Sequence, residues 1–481
     1  MKSLTRNYIY DLTYRVLQII TPLITAPYIA RVLGAEGIGA YSYTSSICGY
    51  FSLFAILGSD TYGQREIAFC GTDREKRSQT FWEIFFMRLA GILISGFVYY
   101  AFCLGTKAEL RVLFLLQLLD FVGLIFDVAW LMQGVEEFGT LLFRNLIIKV
   151  SSIIYLFAFV RKSEDLYIYV FLLSFSRIIG NVSVIPSLRK YIIKPHISVS
   201  LALRHIKPAV VLFFPTIALS IYNSFDKIML GYLTDSSAQN GFYEQSLKII
   251  TLAITIVTSL GNVMAPRMAL LYSEKNQEKL NYYLYSSFEI VWMLALPISF
   301  GIAAVSSNLI PWFLGDGYEE VIILLVCFAP ICAAMGLKSV IGLQYLIPIK
   351  QERKYTRSII IGIVCNVLLN ACLIPRYQAR GAVIASVIAE YLIVICQMLM
   401  IRKSVSILKI FRAIKFKLLA AALMGAAVYF AGRHLAPGIL NTCILIGMGG
   451  GIYFGVLLIF RDAMLKRVLA KFRGRISRKI R

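Results

Sequence analysis

Acidic residues are few in this 481-residue chain: 26 Asp and Glu stand against 49 Lys and Arg, leaving a formal charge of +23. Charged residues of both signs make up only 16%, while 58% are hydrophobic and the mean hydropathy is +0.73. No ordinary soluble domain has that balance. In a soluble chain the positive excess would suggest a nucleic-acid partner. Here the basic residues stand between long apolar runs, so membrane topology is the better explanation and no nucleic acid is expected.

Other scarcities narrow the function. The nine cysteines never form C-x-x-C, and all but Cys70 lie in apolar stretches, so neither a disulfide framework nor a metal site is expected. Three histidines, His196, His205 and His434, are too scattered for catalysis. No G-x-x-x-x-G-K-[ST] loop occurs, and the glycines from Gly447 to Gly455 lie in an apolar stretch, where their spacing is the small-residue pattern of close membrane-helix packing. No ATP or other cofactor is therefore expected, and no catalytic residues. Long polar segments are missing too, since the longest connections are 58–80 and 189–207, too short for a globular domain. Lys2 and Arg6 precede an apolar stretch that passes Leu33 without a small-residue cleavage site, which reads as a first span rather than a signal peptide.

What is present is a series of apolar segments long enough to cross a bilayer, which takes about 20 residues each. Fourteen spans are expected, at 8–33, 37–57, 81–104, 110–131, 141–160, 166–188, 208–233, 242–265, 282–305, 319–347, 356–374, 380–401, 416–434 and 439–460. The fold class is an all-α polytopic membrane protein. With the amino terminus inside, 34 of the 49 Lys and Arg fall in cytoplasmic segments and 8 in outer ones. This asymmetry predicts cytoplasmic amino and carboxyl termini. It also places most of the positive charge, since acids and bases cancel in the outer segments.

A weak internal repeat shows at offsets of 202 to 203 residues: Gly39-Ala40-Tyr41 is echoed by Gly241-Phe242-Tyr243, and Leu57-Gly58-Ser59 by Leu260-Gly261-Asn262. It predicts two like-oriented six-helix lobes plus two C-terminal helices, with a pathway between the lobes. The division is an N-lobe at 1–190, a cytoplasmic linker at 191–207, a C-lobe at 208–401, and the last two spans with a basic tail at 402–481. Pro22, Pro27, Pro208, Pro215 and Pro297 are expected to interrupt or bend their helices.

Seven basic residues remain inside spans, Arg15, Arg88, Lys149, Arg177, Lys227, Lys248 and Lys338, with eight acids: Asp11, Glu83, Asp120, Asp127, Asp226, Glu244, Glu289 and Glu390. A charge at the bilayer centre costs about 2.5–3.5 kcal/mol on insertion scales unless it faces water or a partner. Asp11 with Arg15 and Glu244 with Lys248 are i, i+4, and Asp226 adjoins Lys227, so these can neutralise one another locally. Arg88, Lys149, Arg177 and Lys338 have no acid three or four residues away and are read as unpaired cations lining a cavity. Such a cavity suits an anionic, phosphate-bearing substrate. A carboxylate at membrane depth could carry a coupling proton or sodium ion, with Asp127, Asp226 and Glu390 as candidates.

The string at residues 28–68, YIARVLGAEGIGAYSYTSSICGYFSLFAILGSDTYGQREIA, resembles the opening of the bacterial polysaccharide flippases, within the multidrug/oligosaccharidyl-lipid/polysaccharide exporter superfamily. The likeness continues in Trp130-Leu131-Met132-Gln133-Gly134, in Arg144-Asn145, and in Asp226-Lys227-Ile228-Met229-Leu230-Gly231 followed by Gly241-Phe242-Tyr243. It implies an alternating-access carrier, not an enzyme, in the bacterial cytoplasmic membrane. The implied substrate is an undecaprenyl-pyrophosphate-linked oligosaccharide held by a cationic cavity, with membrane lipids and the pathway's polymerase and glycosyltransferases as partners. The positions matching by place in span are Arg15, Arg31, Arg65, Arg88, Lys149, Arg177, Lys227, Lys248 and Lys338. Alternatives are a lipid II or teichoic-type precursor flippase, an ion-coupled multidrug antiporter of the same superfamily, and a polytopic polymerase or glycosyltransferase. The last is disfavoured by short outer loops.

Overall fold

The computed structural model describes residues 2–193 and 202–467, with side chains from residue 21 onward except at 215, 218, 219, 222, 223, 260 and 262. No β-strand occurs among the described residues. The helices of the first half are α1 (Lys2–Ile56), α2 (Ser59–Phe69), α3 (Arg74–Leu104), α4 (Ala108–Leu116), α5 (Leu118–Ile125), α6 (Ala129–Gly134), α7 (Phe138–Phe159), α8 (Leu166–Val182), α9 (Ile185–Leu188) and α10 (Ile206–Leu233). Then come α11 (Ser237–Ser273), α12 (Gln277–Phe313), α13 (Glu319–Phe328), α14 (Ile331–Ser339), a π-helical turn (Val340–Leu346), α15 (Glu352–Ile401), α16 (Ile407–Arg412), α17 (Lys415–Gly432) and α18 (Ile439–Ile459). Ten segments among the described residues are long and apolar enough to cross a membrane, and each of the fourteen expected spans falls on a helical run. In lipid only such internally hydrogen-bonded backbone is tolerated. The chain is a multi-pass membrane protein.

Two runs carry two spans each. The first is α1, which breaks at Gly34 (φ 67°), where the missing Cβ removes the usual penalty of a left-handed conformation. The second is α15, which turns back on itself at Gln378 (φ 52°), just after Pro375 has removed a helical donor. Its halves run antiparallel, since Gln397 Nε2 donates to Ser358 Oγ (3.0 Å) and Asn366 Nδ2 to Ser386 Oγ (3.4 Å). Pro22 and Pro27 stand inside continuous helix, so the interruption expected of them lies instead at Gly34.

By contacts the chain forms two compact units, Met1–Gly241 and Phe242–Arg481. In the first, Trp130 stacks on Phe81 with centroids 5.2 Å apart, at the centre of a core with Ile84, Leu131 and Met132. Such a ring pair is worth about 0.5–1.5 kcal/mol beyond its buried area. Phe97 and Ile94 on α3 are exposed, as lipid-facing residues should be. In the second unit α17 and α18 pack against α12. Asn308 donates to Gly432 O and Leu435 O (both 3.0 Å), and Tyr453 Oη donates to Met293 O (3.0 Å). Trp312 Nε1 donates to Thr442 Oγ1 (2.8 Å), and Val428, Leu445 and Tyr453 share one core with Phe288 and Trp292.

The glycine expectations divide. Gly449 packs closely, with space for a Cβ only 3.0 Å from Val428, whereas nothing lies within 4 Å of such an atom at Gly447, Gly450, Gly451 or Gly455. Within the repeat, Gly39 and Gly241 bring α1 and the start of α11 together backbone to backbone. The other echo is not equivalent: Gly58 has φ +74° between α1 and α2, and Gly261 lies within α11.

Candidate functional site

Five helical segments of the first unit enclose a polar cavity of about 590 Å³. Each contributes one face. Tyr41, Ser45, Cys48 and Ser52 come from α1; Asp120 and Gly123 come from α5, with Asp127 just beyond it; Arg144 and Ile148 from α7; Arg177 and Asn181 from α8; Ser220, Ser224 and Lys227 from α10. The spacings of three, four or seven place these residues on single helical faces. The stretch from residue 108 to 134 is broken into three short helices, and the second break, at residues 126–128, creates a new helix start. Asp127 stands just before it and accepts the Ala129 N–H at 3.0 Å.

The cavity charges are paired across helices. Arg177 Nη1 lies 3.0 Å from Asp120 Oδ1, and Arg144 Nη1 lies 3.0 Å from Asp127 Oδ1. Arg144 Nη2 also donates to Asn145 Oδ1 at 3.1 Å, and Asn181 Nδ2 donates to Gly123 O at 2.8 Å. Half of the Arg177 side chain is accessible (50%) although it stands in mid-helix, because it faces this cavity. Behind the wall, Arg88 is buried (2%), meets Asp60, donates to Ser59 Oγ at 3.3 Å, and has Nη2 4.0 Å from Asp127 Oδ2. Lys149, half-buried on α7, has no carboxylate within ion-pair distance among the described residues.

The expectation that Arg88, Arg177 and Lys338 are unpaired is therefore corrected. Each finds its carboxylate on another element: Arg88 meets Asp60, Arg177 meets Asp120, and Lys338 lies 2.8 Å from Glu390. Sequence spacing sees partners only one helical turn away, whereas packing supplies partners 28, 57 and 52 residues distant.

Of the residues expected at the site, Arg177, Lys227 and Asp127 line the cavity, Arg88 stands behind its wall, and Lys149 is half-buried on α7 next to the lining residue Ile148. Arg15 lies outside the residues whose side chains are described. Arg31 is exposed on α1 and does not line the cavity. On α2, Arg65 pairs with Glu66 at 3.2 Å and lies over the Tyr62 ring at 5.5 Å. Asp226 is buried on α10. Lys248, Lys338 and Glu390 belong to the second unit, where Lys248 pairs with Glu244 at 3.6 Å.

In the sequence Arg144 stands out only within the Arg144-Asn145 motif, Asp120 only as one acid among eight, and Asn181 and the serines not at all. Asn181 four residues after Arg177, and Asp127 seven after Asp120, are the signals that could have found them. The second unit holds a different cavity, about 420 Å³ and almost wholly apolar, walled by Ile249 and Ile256 of α11, Pro297 and Val305 of α12, Met424 of α17 and Gly449 of α18.

His205, expected to be uninformative, is buried at the start of α10, with Tyr62 Oη 2.7 Å from Nδ1 and Glu83 Oε2 2.7 Å from Nε2. Arg204 completes the cluster, 2.7 Å from the same Glu83 oxygen.

Comparison with known proteins adds a family match, two relatives and two solved structures. Residues 4–272 match the family described as "Polysaccharide biosynthesis protein". The chain is 22% identical over 412 residues to the "Putative O-antigen transporter" of Escherichia coli K12, covering 84% of this chain and 97% of that protein. It is also 22% identical over 284 residues to the lipid II flippase MurJ of Bacillus subtilis 168, covering 54% of this chain and 52% of that one. Among solved structures, an inward closed conformation of lipid II flippase MurJ superposes with a TM-score of 0.73 at 17% identity, over 95% of this chain and 99% of that one. An inward-facing multidrug resistance transporter of the MATE family reaches 0.57 at 15% identity, over 82% of this chain and 99% of that one.

Proposed function

This chain belongs to the polysaccharide biosynthesis protein family, and from that premise we propose that it is a flippase carrying polyprenyl-diphosphate-linked oligosaccharide units from the inner to the outer leaflet for cell-surface polysaccharide assembly. The observation that carries the reading is the hydroxyl-rich cavity with two arginines, a lysine and an asparagine inside a membrane-spanning unit. Guanidinium groups bind phosphate oxygens by paired hydrogen bonds, and serine, tyrosine and asparagine side chains suit sugar hydroxyls. A diphosphate with several sugars cannot cross hydrocarbon unaided, because each unpaired polar group costs several kcal/mol. A polar cavity with the polyprenyl tail left in lipid or in an apolar groove removes that barrier.

The cycle proposed is alternating access without ATP. An inside-negative membrane favours outward movement of the headgroup's negative charge by about 2.3 kcal/mol per charge per 100 mV. Any coupling proton or sodium ion would sit on a carboxylate such as Asp127, Asp226 or Glu390. The proposed location is the bacterial cytoplasmic membrane with both termini inside, where the pathway's glycosyltransferases supply the substrate and a polymerase consumes it.

The test is complementation of a bacterium whose own repeat-unit flippase has been deleted. Expression of this chain is expected to restore lipid-linked sugar on the outer face, read by periplasmic labelling. Membrane-inserted protein that restores none, with substrates of several sugar compositions, would overturn the reading.

A further inference from the structure

Asp127 stands between two arginines. On the cavity side its Oδ1 lies 3.0 Å from Arg144 Nη1, and behind the wall its Oδ2 lies 4.0 Å from Arg88 Nη2. Arg88 is unfinished: its Nε and Nη2 are buried without a hydrogen-bond partner, although its Nη1 meets Asp60 and Ser59. Leaving charged donors unmade in a buried site is costly, so a small carboxylate movement that fills them is favourable. The Asp127 carboxylate is held in the loop by the Ala129 N–H and retains one quarter of its surface accessible (25%).

We propose that Asp127 is a placeholder anion that toggles between Arg144 and Arg88. In the empty cavity it neutralises Arg144; when a diphosphate headgroup takes Arg144, the displaced carboxylate closes onto Arg88. On this account Arg144 contacts the substrate, while Arg88 is a positioning residue that never touches it. The exchange keeps Arg144 and Arg88 neutralised in both states, as membrane depth demands. It also sets specificity, because only an anion stronger than a carboxylate as an arginine partner displaces Asp127, and a neutral ligand does not. The inference rests on the flippase reading for its substrate class.

The experiment measures binding of inorganic pyrophosphate to the purified full-length chain in nanodiscs, beside flipping of lipid-linked oligosaccharide in proteoliposomes. Asp127→Asn removes the competing charge while an asparagine oxygen can still accept the Ala129 N–H, and is expected to bind pyrophosphate about tenfold more tightly than wild type. Arg88→Met removes the alternative seat and is expected to weaken binding by a similar factor. The double variant Arg88→Met/Asp127→Asn is expected to bind as tightly as Asp127→Asn alone, an epistasis that a merely structural Arg88 does not produce. Unchanged or weaker binding by folded Asp127→Asn overturns the toggle, and so does an Arg88→Met defect that persists in the double variant. Either result with active wild-type flipping leaves the flippase reading standing. Wild type that neither flips the lipid nor binds pyrophosphate overturns both.

Discussion

Gly39 and Gly241 meet backbone to backbone: a Cβ on Gly39 would lie 2.8 Å from Gly241 N and 1.7 Å from Ser237 O, and one on Gly241 would lie 2.0 Å from Ala35 O. The two glycines that mark the internal repeat are thus in contact with each other. Neither clash is with the end of a flexible side chain, so rotamer changes cannot relieve it.

Gly39→Leu and Gly241→Leu are therefore expected to force the two helices apart. Overpacking typically costs about 1–3 kcal/mol, and a backbone conflict belongs at the upper end. A lowered melting temperature of the detergent-solubilised protein, read by intrinsic fluorescence, checks this. Wild-type melting of both variants would refute the close contact.

Arg144→Ala and Arg177→Ala should abolish transport in the complementation assay while the protein stays in the membrane. Arg380→Ala should retain it, since Arg380 forms an exposed pair with Glu320 at 2.6 Å and such pairs contribute only about 0–1 kcal/mol. Equal losses from all three substitutions would show that the cavity has no special role.

Lys338 and Glu390 form an ion pair in which the side chains are 12% and 3% accessible. Lys338→Met leaves a buried carboxylate alone, which costs about 3–5 kcal/mol in other proteins. The amount of folded protein should fall sharply, and Lys338→Met/Glu390→Leu should recover it. Size-exclusion profiles of the two variants make the comparison. Transport should remain lost in the double variant if Glu390 carries a coupling ion.

A pH dependence follows from Asp462, just beyond α18. Burial alone would raise its carboxyl pKa, but Lys417 Nζ at 2.8 Å and the N–H groups of Leu465 and Met464, both at 3.0 Å, hold it below the ordinary value. A carboxyl depressed in the folded state adds stability that is present above the unfolded pKa, about 3.9, and is lost as pH falls through the folded value. The melting temperature should thus decline below about pH 4 more steeply in wild type than in Asp462→Asn. The variant should melt lower at neutral pH, where Lys417 is left buried without its counterion. Parallel melting curves over pH 3–7 would rule this contribution out.

The fold was largely legible in the residues. Apolar segments of about 20 residues have few alternatives to helix in a bilayer, and the breaks at Gly34 and Gln378 fall where the sequence leaves gaps between spans. The candidate site was legible only in part. Arg177, Lys227 and Asp127 were found because charge inside an apolar run is conspicuous. Arg144 was missed because it lies four residues into its span and reads as a flanking cation. The cavity-facing serines were missed because they are cheap to bury.

Composition and spacing settled the membrane class, the helical fold and the positions of the spans, because the cost of exposing backbone to lipid is local and repeats every turn. Which charges neutralise which was decided by packing. Asp60 and Arg88, Asp120 and Arg177, and Glu390 and Lys338 are remote in the chain and adjacent in space. Ion pairing depends on distances of a few ångströms between helices, and no periodicity within a single helix records them.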